Sequence, residues 1–181
     1  LLHMLDDNRK VWENTGVTEE LTANGYAVLA LDMRGHGKTG GGKEWLLAED
    51  DLQRVWRYFA DRPEVDEEKT AVIGGSIGAN MALIAAANEP AIRTAILLSP
   101  GLDYRGVTTE NRLADYGERP LLIVASENDG YSADSSNTLA ETAVGETQLE
   151  LYKSAGHGTR MFTANPKLMQ LILTWLNQHL E

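Results

Sequence analysis

The sequence predicts an α/β fold, a mostly parallel sheet of about six strands with helices on both faces. Three observations predict it. Short β-branched or Leu/Ala-rich runs alternate with longer stretches whose apolar residues fall at helical spacing. Several short runs, such as "TAILLS" and "LLIVAS", are almost wholly apolar, as strands buried on both faces are. No repeat, low-complexity tract or long linker interrupts the alternation, and right-handed crossovers then put helices on both sides.

The strand candidates, in order, are Leu1–Met4, Tyr26–Asp32, Thr70–Gly74, Ile92–Ser99, Pro120–Ser126 and Gln148–Tyr152. Between the second and third, the stretch Trp45–Phe59 sets Leu52, Val55, Trp56 and Phe59 on one helical face. The last helix is announced by Asn165-Pro166, an N-cap followed by a first-turn proline. After it Leu168, Met169, Leu171, Ile172, Trp175, Leu176 and Leu180 form one apolar stripe. At 181 residues the expectation is one domain over 1–181, able to bury about two thirds of its unfolded surface.

Composition removes whole classes of function. The chain has no cysteine, which excludes disulfides, thiolate nucleophiles and cysteine-ligated zinc. A formal net charge of −11, with basic residues scattered among acids, argues against a nucleic-acid partner. No apolar run approaches the roughly 20 residues of a membrane span and no signal-peptide layout is visible, so the expectation is a cytoplasmic protein without a membrane partner. The chain opens "LLHMLDD", inside an apolar strand and without an initiator Met, and is therefore expected to be N-terminally incomplete.

In parallel sheets ligands sit beyond the carboxyl ends of the strands, which makes the loops after each strand the place to seek chemistry. The run "DMRGHGKTG" ends like a P-loop. The required glycine five residues before Gly37 is instead Asp32, whose charge opposes phosphate, and three glycines follow Thr39 where a helix should start. The run "GGSIGAN" resembles the glycine turn of short-chain dehydrogenases, but Asn80 replaces the third glycine and no tyrosine has lysine four positions on. The remaining reading is Gly74-x-Ser76-x-Gly78, a nucleophile elbow between strand and helix, with Gly75 only its variable position.

An activated serine needs a base, and the base an orienting acid, in the order serine, acid, histidine. Of the two histidines after Ser76, His179 belongs to the end of the last helix and is expected to be solvated. His157 lies in the glycine-flanked loop "SAGHGTRMF". Asp129, in "SENDGY", is the favoured acid; Asp103, in "SPGLDY", competes, because some triads draw the acid from the preceding strand.

Taken together, "LLHM", "YAVLALDMRGHG", "GGSIGA", "SEND" and "GHG" resemble, in order, five motifs of the α/β-hydrolases, in particular the small serine esterase and dienelactone-hydrolase-like branch. The resemblance spans nearly the whole chain and implies that fold without its first two strands. Tyr26–Asp32 would then be a sheet edge, to be covered by an upstream segment or by a second copy in a homodimer. It implies the backbone N–H groups of Leu5 and Ile77 as oxyanion donors, with His3-Met4 where the family has His-Gly. His36 maps to the variable residue of the Arg-Gly-x-Gly turn and is expected to be structural or solvated. Ser76 stands where dienelactone hydrolases proper use cysteine, so their lactone substrate is not implied.

The expected function is hydrolysis of small carboxylic esters through Ser76, His157 and Asp129 by way of an acyl-enzyme, with no cofactor and no metal. Pro100–Arg119 leaves room for one crossover helix and no sizeable lid, which suits a small-molecule ester. Met4, Tyr104, Tyr131, Met161 and Phe162 are candidate pocket residues. Thioesterase or peptidase action on the same triad, a nucleotide- or NAD(P)-binding protein using the glycine loops, and an inactive binding module are the alternatives.

Overall fold

Side-chain alternation along the central strands builds the two halves of the core. The structure, a computed structural model, describes residues 1–180. Short helices α1 (Lys10–Asn14) and α2 (Val17–Ala23) precede α3 (Trp45–Ala60); β1 (Thr70–Gly75) then runs into α4 (Ile77–Asn88). β2 (Ile92–Leu98) leads to a small hairpin, β3 (Asp103–Tyr104) and β4 (Val107–Thr108), and to α5 (Glu110–Tyr116). β5 (Leu121–Ser126), α6 (Gly130–Thr142), β6 (Thr147–Tyr152), α7 (Met161–Ala164) and α8 (Lys167–Leu180) complete the order.

β1, β2, β5 and β6 pair in that order, all parallel. Successive residues point to opposite faces. Ala95, Leu97, Leu121 and Ile123 therefore join Leu52 and the apolar side of α4 in one cluster. Ile96, Leu98, Leu122 and Val124 join Trp12, Leu21, Leu168 and Ile172 in the other. Helix α4 is apolar and buried on every side, and its alanines allow it to lie close on β1 and β2. Helix α8 begins as expected, with the Lys167 amide donating to Asn165 Oδ1 at 3.2 Å. No described helix is long and apolar enough to cross a membrane.

The strand count is corrected: four regular strands, not six, form the main sheet. Leu1–Met4 and Tyr26–Asp32 take their expected positions beside β1, but only Leu2 pairs, by single parallel bridges to Gly74 and to Leu31. A ladder needs consecutive pairs. Beyond Leu2, His3 draws the Met4 carbonyl to its own ring and the Asp7 amide turns back to the same oxygen, so pairing cannot propagate. At this side of the sheet an apolar cavity of about 310 Å³ lies between Leu31, Trp56, Phe59, Leu176 and Leu180. Ser76 does not line it. The hairpin β3–β4 has no counterpart in the sequence reading, which foresaw only a crossover helix.

Candidate active site

Ser76 occupies the one residue between the end of β1 and the start of α4, with φ 56° and ψ −127°. A non-glycine residue in such backbone costs about 1–3 kcal/mol and persists only where its surroundings hold it. The Ser76 amide donates to the Leu98 carbonyl of the neighbouring strand at 2.8 Å, and the Ser76 carbonyl accepts from Ala79 at 2.8 Å. The flanking glycines let the chain pack this closely. A Cβ on Gly74 would strike the Gly78 carbonyl, and one on Gly78 would lie 2.5 Å from the Leu2 carbonyl oxygen. Gly75 is less free than a variable position should be, because a Cβ there would lie 3.2 Å from Thr159 Cγ2.

Asp129 precedes α6, just beyond β5, and His157 lies in the loop after β6. His157 Nδ1 is 2.5 Å from Asp129 Oδ2. A carboxylate only accepts, so Nδ1 carries the hydrogen and Nε2 is left as the basic nitrogen. Asp103 is engaged elsewhere: its Oδ1 accepts the Gly106 amide at 2.6 Å within the hairpin. The histidine loop lies over the elbow, since a Cβ on Gly158 would be 3.5 Å from the Ser76 nitrogen. Among the described residues no hydrogen bond joins Ser76 Oγ to His157; in ligand-free sites this contact is often long.

Two serines outside the sequence reading fix this loop cluster. Ser99, buried and at φ 53°, accepts the Gly158 amide on its Oγ at 2.9 Å, while its own amide donates to Val124 at 2.7 Å. Ser126 Oγ accepts the Ala155 amide at 2.7 Å. Asn80, noted only as a departure from a dinucleotide pattern, is fully buried. Its Nδ2 donates to Gly101 and Val107 carbonyls at 2.9 and 2.6 Å, and its Oδ1 accepts the Gly101 amide at 3.0 Å. It thereby ties the hairpin to α4. Ser99 follows an apolar strand and precedes proline, a context that carries no sign of its role.

Around the elbow, Met4 lies against both glycine-rich segments; its Sδ would be 2.5 Å from a Cβ on Gly158. Tyr104 presents its ring edge-on to His157, centroids 6.3 Å apart, and shares a 2.8 Å hydrogen bond with Ser132 Oγ. Burial pushes the Tyr104 phenol up to about 12, against the opposing pull of the Ser132 and Ser76 hydroxyls. Tyr131 packs on Tyr104 at 5.6 Å and donates to the Asp103 carbonyl at 2.9 Å. Met161 and Phe162 are a correction: both are buried in the core with Trp12 and do not line an open pocket. His179 is not solvated either, but stacks 4.1 Å from Trp175.

Leu5 and Ile77 both offer a free amide: among the described residues neither N–H is spent on a hydrogen bond. Ile77 opens α4, where helical N–H groups lack intrahelical partners. The glycine loop after Tyr26–Asp32 is folded around Asp32, whose carboxylate accepts the Arg9 and Lys38 amides at 2.8 Å each and pairs with the Arg9 guanidinium. The Lys38 amide is therefore not available to a phosphate. Among the described residues no three His, Asp or Glu side chains gather as a metal-holding group.

The family model described as "Serine aminopeptidase, S33" matches residues 10–114, more than half of the chain. The chain belongs to the S33 serine aminopeptidase family. That match includes Ser76 and ends before Asp129 and His157 of this S33 member. No curated protein sequence matches the chain. An esterase from Pyrococcus furiosus has a similar structure, at 20% identity and TM-score 0.85, over 99% of this chain and 80% of that one. So does a dienelactone hydrolase from Anabaena variabilis, at 18% identity and TM-score 0.78 over 99% and 85%. An acetyl xylan esterase from Paenibacillus sp. R4 is similar at 18% identity and TM-score 0.83, over 99% and 73%. These likenesses establish the α/β-hydrolase fold of the S33 member.

Proposed function

We propose that this S33 member hydrolyses small carboxylic esters by a Ser76–His157–Asp129 triad and an acyl-enzyme. The observation that carries the proposal is the 2.5 Å contact between His157 Nδ1 and Asp129 Oδ2, above a serine held in strained backbone. His157 Nε2 takes the Ser76 proton as Oγ attacks the ester carbonyl, and Asp129 holds the ring and stabilises its cation. The Leu5 and Ile77 amides receive the oxyanion. The alcohol leaves with the proton from His157, and water repeats the sequence on the acyl-enzyme.

Small esters suit a site flanked by Met4, Tyr104 and Tyr131, over which only the β3–β4 hairpin and α5 occupy the position of a lid. Structural relatives named as esterases and an acetyl xylan esterase point the same way. Aminopeptidase action is the second reading, favoured by the name of the matching family.

The test is fluorophosphonate labelling beside turnover of p-nitrophenyl acetate and of an aminoacyl p-nitroanilide, for wild type and Ser76→Ala. We expect wild type to be labelled and to prefer the ester, and Ser76→Ala to lose both. Labelling that survives the substitution, or a wild type that turns over neither substrate, overturns the proposal; preference for the anilide selects the peptidase reading.

A further inference from the structure

Leu5 lies outside every helix and strand, so the aim of its amide depends on what holds the carbonyls on either side. In a trans peptide the carbonyl and the next N–H point in opposite directions. His3 Nδ1 lies 2.7 Å from the Met4 carbonyl and directs the Leu5 N–H away from the His3 ring. His3 Nε2 accepts the Met33 amide at 3.0 Å, which makes His3 the neutral ring with its hydrogen on Nδ1.

His36 is bonded differently. Its Nδ1 is 2.9 Å from the Arg34 carbonyl oxygen and its Nε2 is 2.6 Å from the Leu5 carbonyl oxygen. Both partners are acceptors only. The two contacts are hydrogen bonds together only when both ring nitrogens carry hydrogen. The residue is 6% exposed, which leaves water little access to either bond.

We propose that His36, with both ring nitrogens protonated, is a positioning residue that clamps the Leu5 carbonyl and so holds the Leu5 N–H towards the oxyanion above Ser76. The proposal rests on the serine-hydrolase reading of the site. The titratable and charged groups around the ring are His3, edge-on at 4.8 Å; Lys43, whose Nζ is 3.2 Å from the same Leu5 oxygen; and Asp32, in the turn that carries His36. The Arg34 side chain is occupied by Asp51 at 2.7 Å, and Trp45 closes the remaining side at 6.0 Å. Without a donor at this place the Leu5 carbonyl loses its clamp and the Leu5 N–H is no longer held towards the oxyanion.

The experiment has two arms. In the first, kcat and KM for p-nitrophenyl acetate are measured from acid to alkaline pH for wild type, His36→Gln and His36→Phe, with circular dichroism of each. We expect His36→Phe to lose about 10²-fold in kcat, the scale of one oxyanion donor, with little change in KM. His36→Gln, which keeps one donor, should recover part of it. In the second arm, ¹⁵N NMR of the wild-type imidazoles at neutral pH reads the ring directly, whether or not the variants fold; two N–H-bearing nitrogens are expected for His36. A neutral His36 ring overturns the clamp, as does a folded His36→Phe with wild-type kcat. A wild type without turnover instead overturns the hydrolase reading, and the NMR arm still decides the protonation of His36.

Discussion

Asp129 Oδ2 and His157 Nδ1 meet at 2.5 Å although 28 residues and the whole of α6 and β6 separate them. Parallel pairing of β5 with β6 ends at Ser126 and Tyr152, which delivers the two loops side by side at one edge of the site. Asp129→Asn keeps the shape but cannot hold the imidazole in its basic tautomer. A loss of about 10⁴ in kcat with an unchanged melting curve is expected. Steady-state kinetics beside circular dichroism check it; a loss below about tenfold would separate Asp129 from the base.

Ser99→Ala removes the acceptor for the Gly158 amide, which is buried beside the base. Leaving that N–H unpaired should cost about 1–3 kcal/mol in a urea titration. Because the histidine loop also loses its anchor, kcat should fall by up to about 10²-fold with KM little changed. A stability loss without any change in kcat would mean that Ser99 supports the fold alone.

Asn80→Leu removes the donor to the Val107 carbonyl and the acceptor of the Gly101 amide, while the Gly101 carbonyl keeps Thr109 Oγ1. The hairpin carrying Tyr104 should loosen against α4, at a cost of at least about 2 kcal/mol. Protease cleavage mapped to the segment around Arg105 and Gly106, faster than in wild type, is the expected signature. Cleavage spread over the chain would indicate global unfolding instead.

Stability should fall in two steps on acidification. Burial holds the His3 ring below the ordinary histidine value. The unfolded chain therefore takes up a proton near pH 6.5 that the folded state refuses, and stability declines as pH drops below about 6.5. Asp32 acts lower. Burial raises its carboxyl, but the Lys38 and Arg9 amides and the Arg9 guanidinium outweigh this and hold it below the usual range. Its contribution is present above about pH 4 and is lost as pH falls further. Urea midpoints across this range should show both steps, and Asp32→Asn should remove the lower one. A midpoint independent of pH between about 7 and 5 would contradict the neutral, buried His3.

The sequence was most legible where local pattern and tertiary need coincide. The runs that became β1, β2 and β5 are largely apolar because both faces are covered, β6 is more polar and only half-buried, and the ends of all four were read to within a residue. That Asp129 and His157 come together follows from strand order and loop position. Leu1–Met4 reads as a strand by its apolar residues, yet the turn at Met4–Asp7 stops pairing after Leu2, and no composition signals that. Ser99, Ser126 and Asn80 act through single side-chain to backbone bonds between segments far apart in sequence, which no local pattern reveals. Met161 and Phe162 flank the histidine in sequence, but the 3₁₀ turn Gly158–Arg160 swings them into the core.

The pairing around Leu2 has a thermal consequence. Ser76, Asp129 and His157 follow strands paired in continuous ladders, whereas the Leu5 amide hangs from a segment joined to the sheet by single bridges. Local opening should begin at the weaker anchorage. Warming would then silence catalysis at temperatures where the far-ultraviolet spectrum is still native, and cooling would restore it, with the melting of function set by a few residues near the start of the chain rather than by the core.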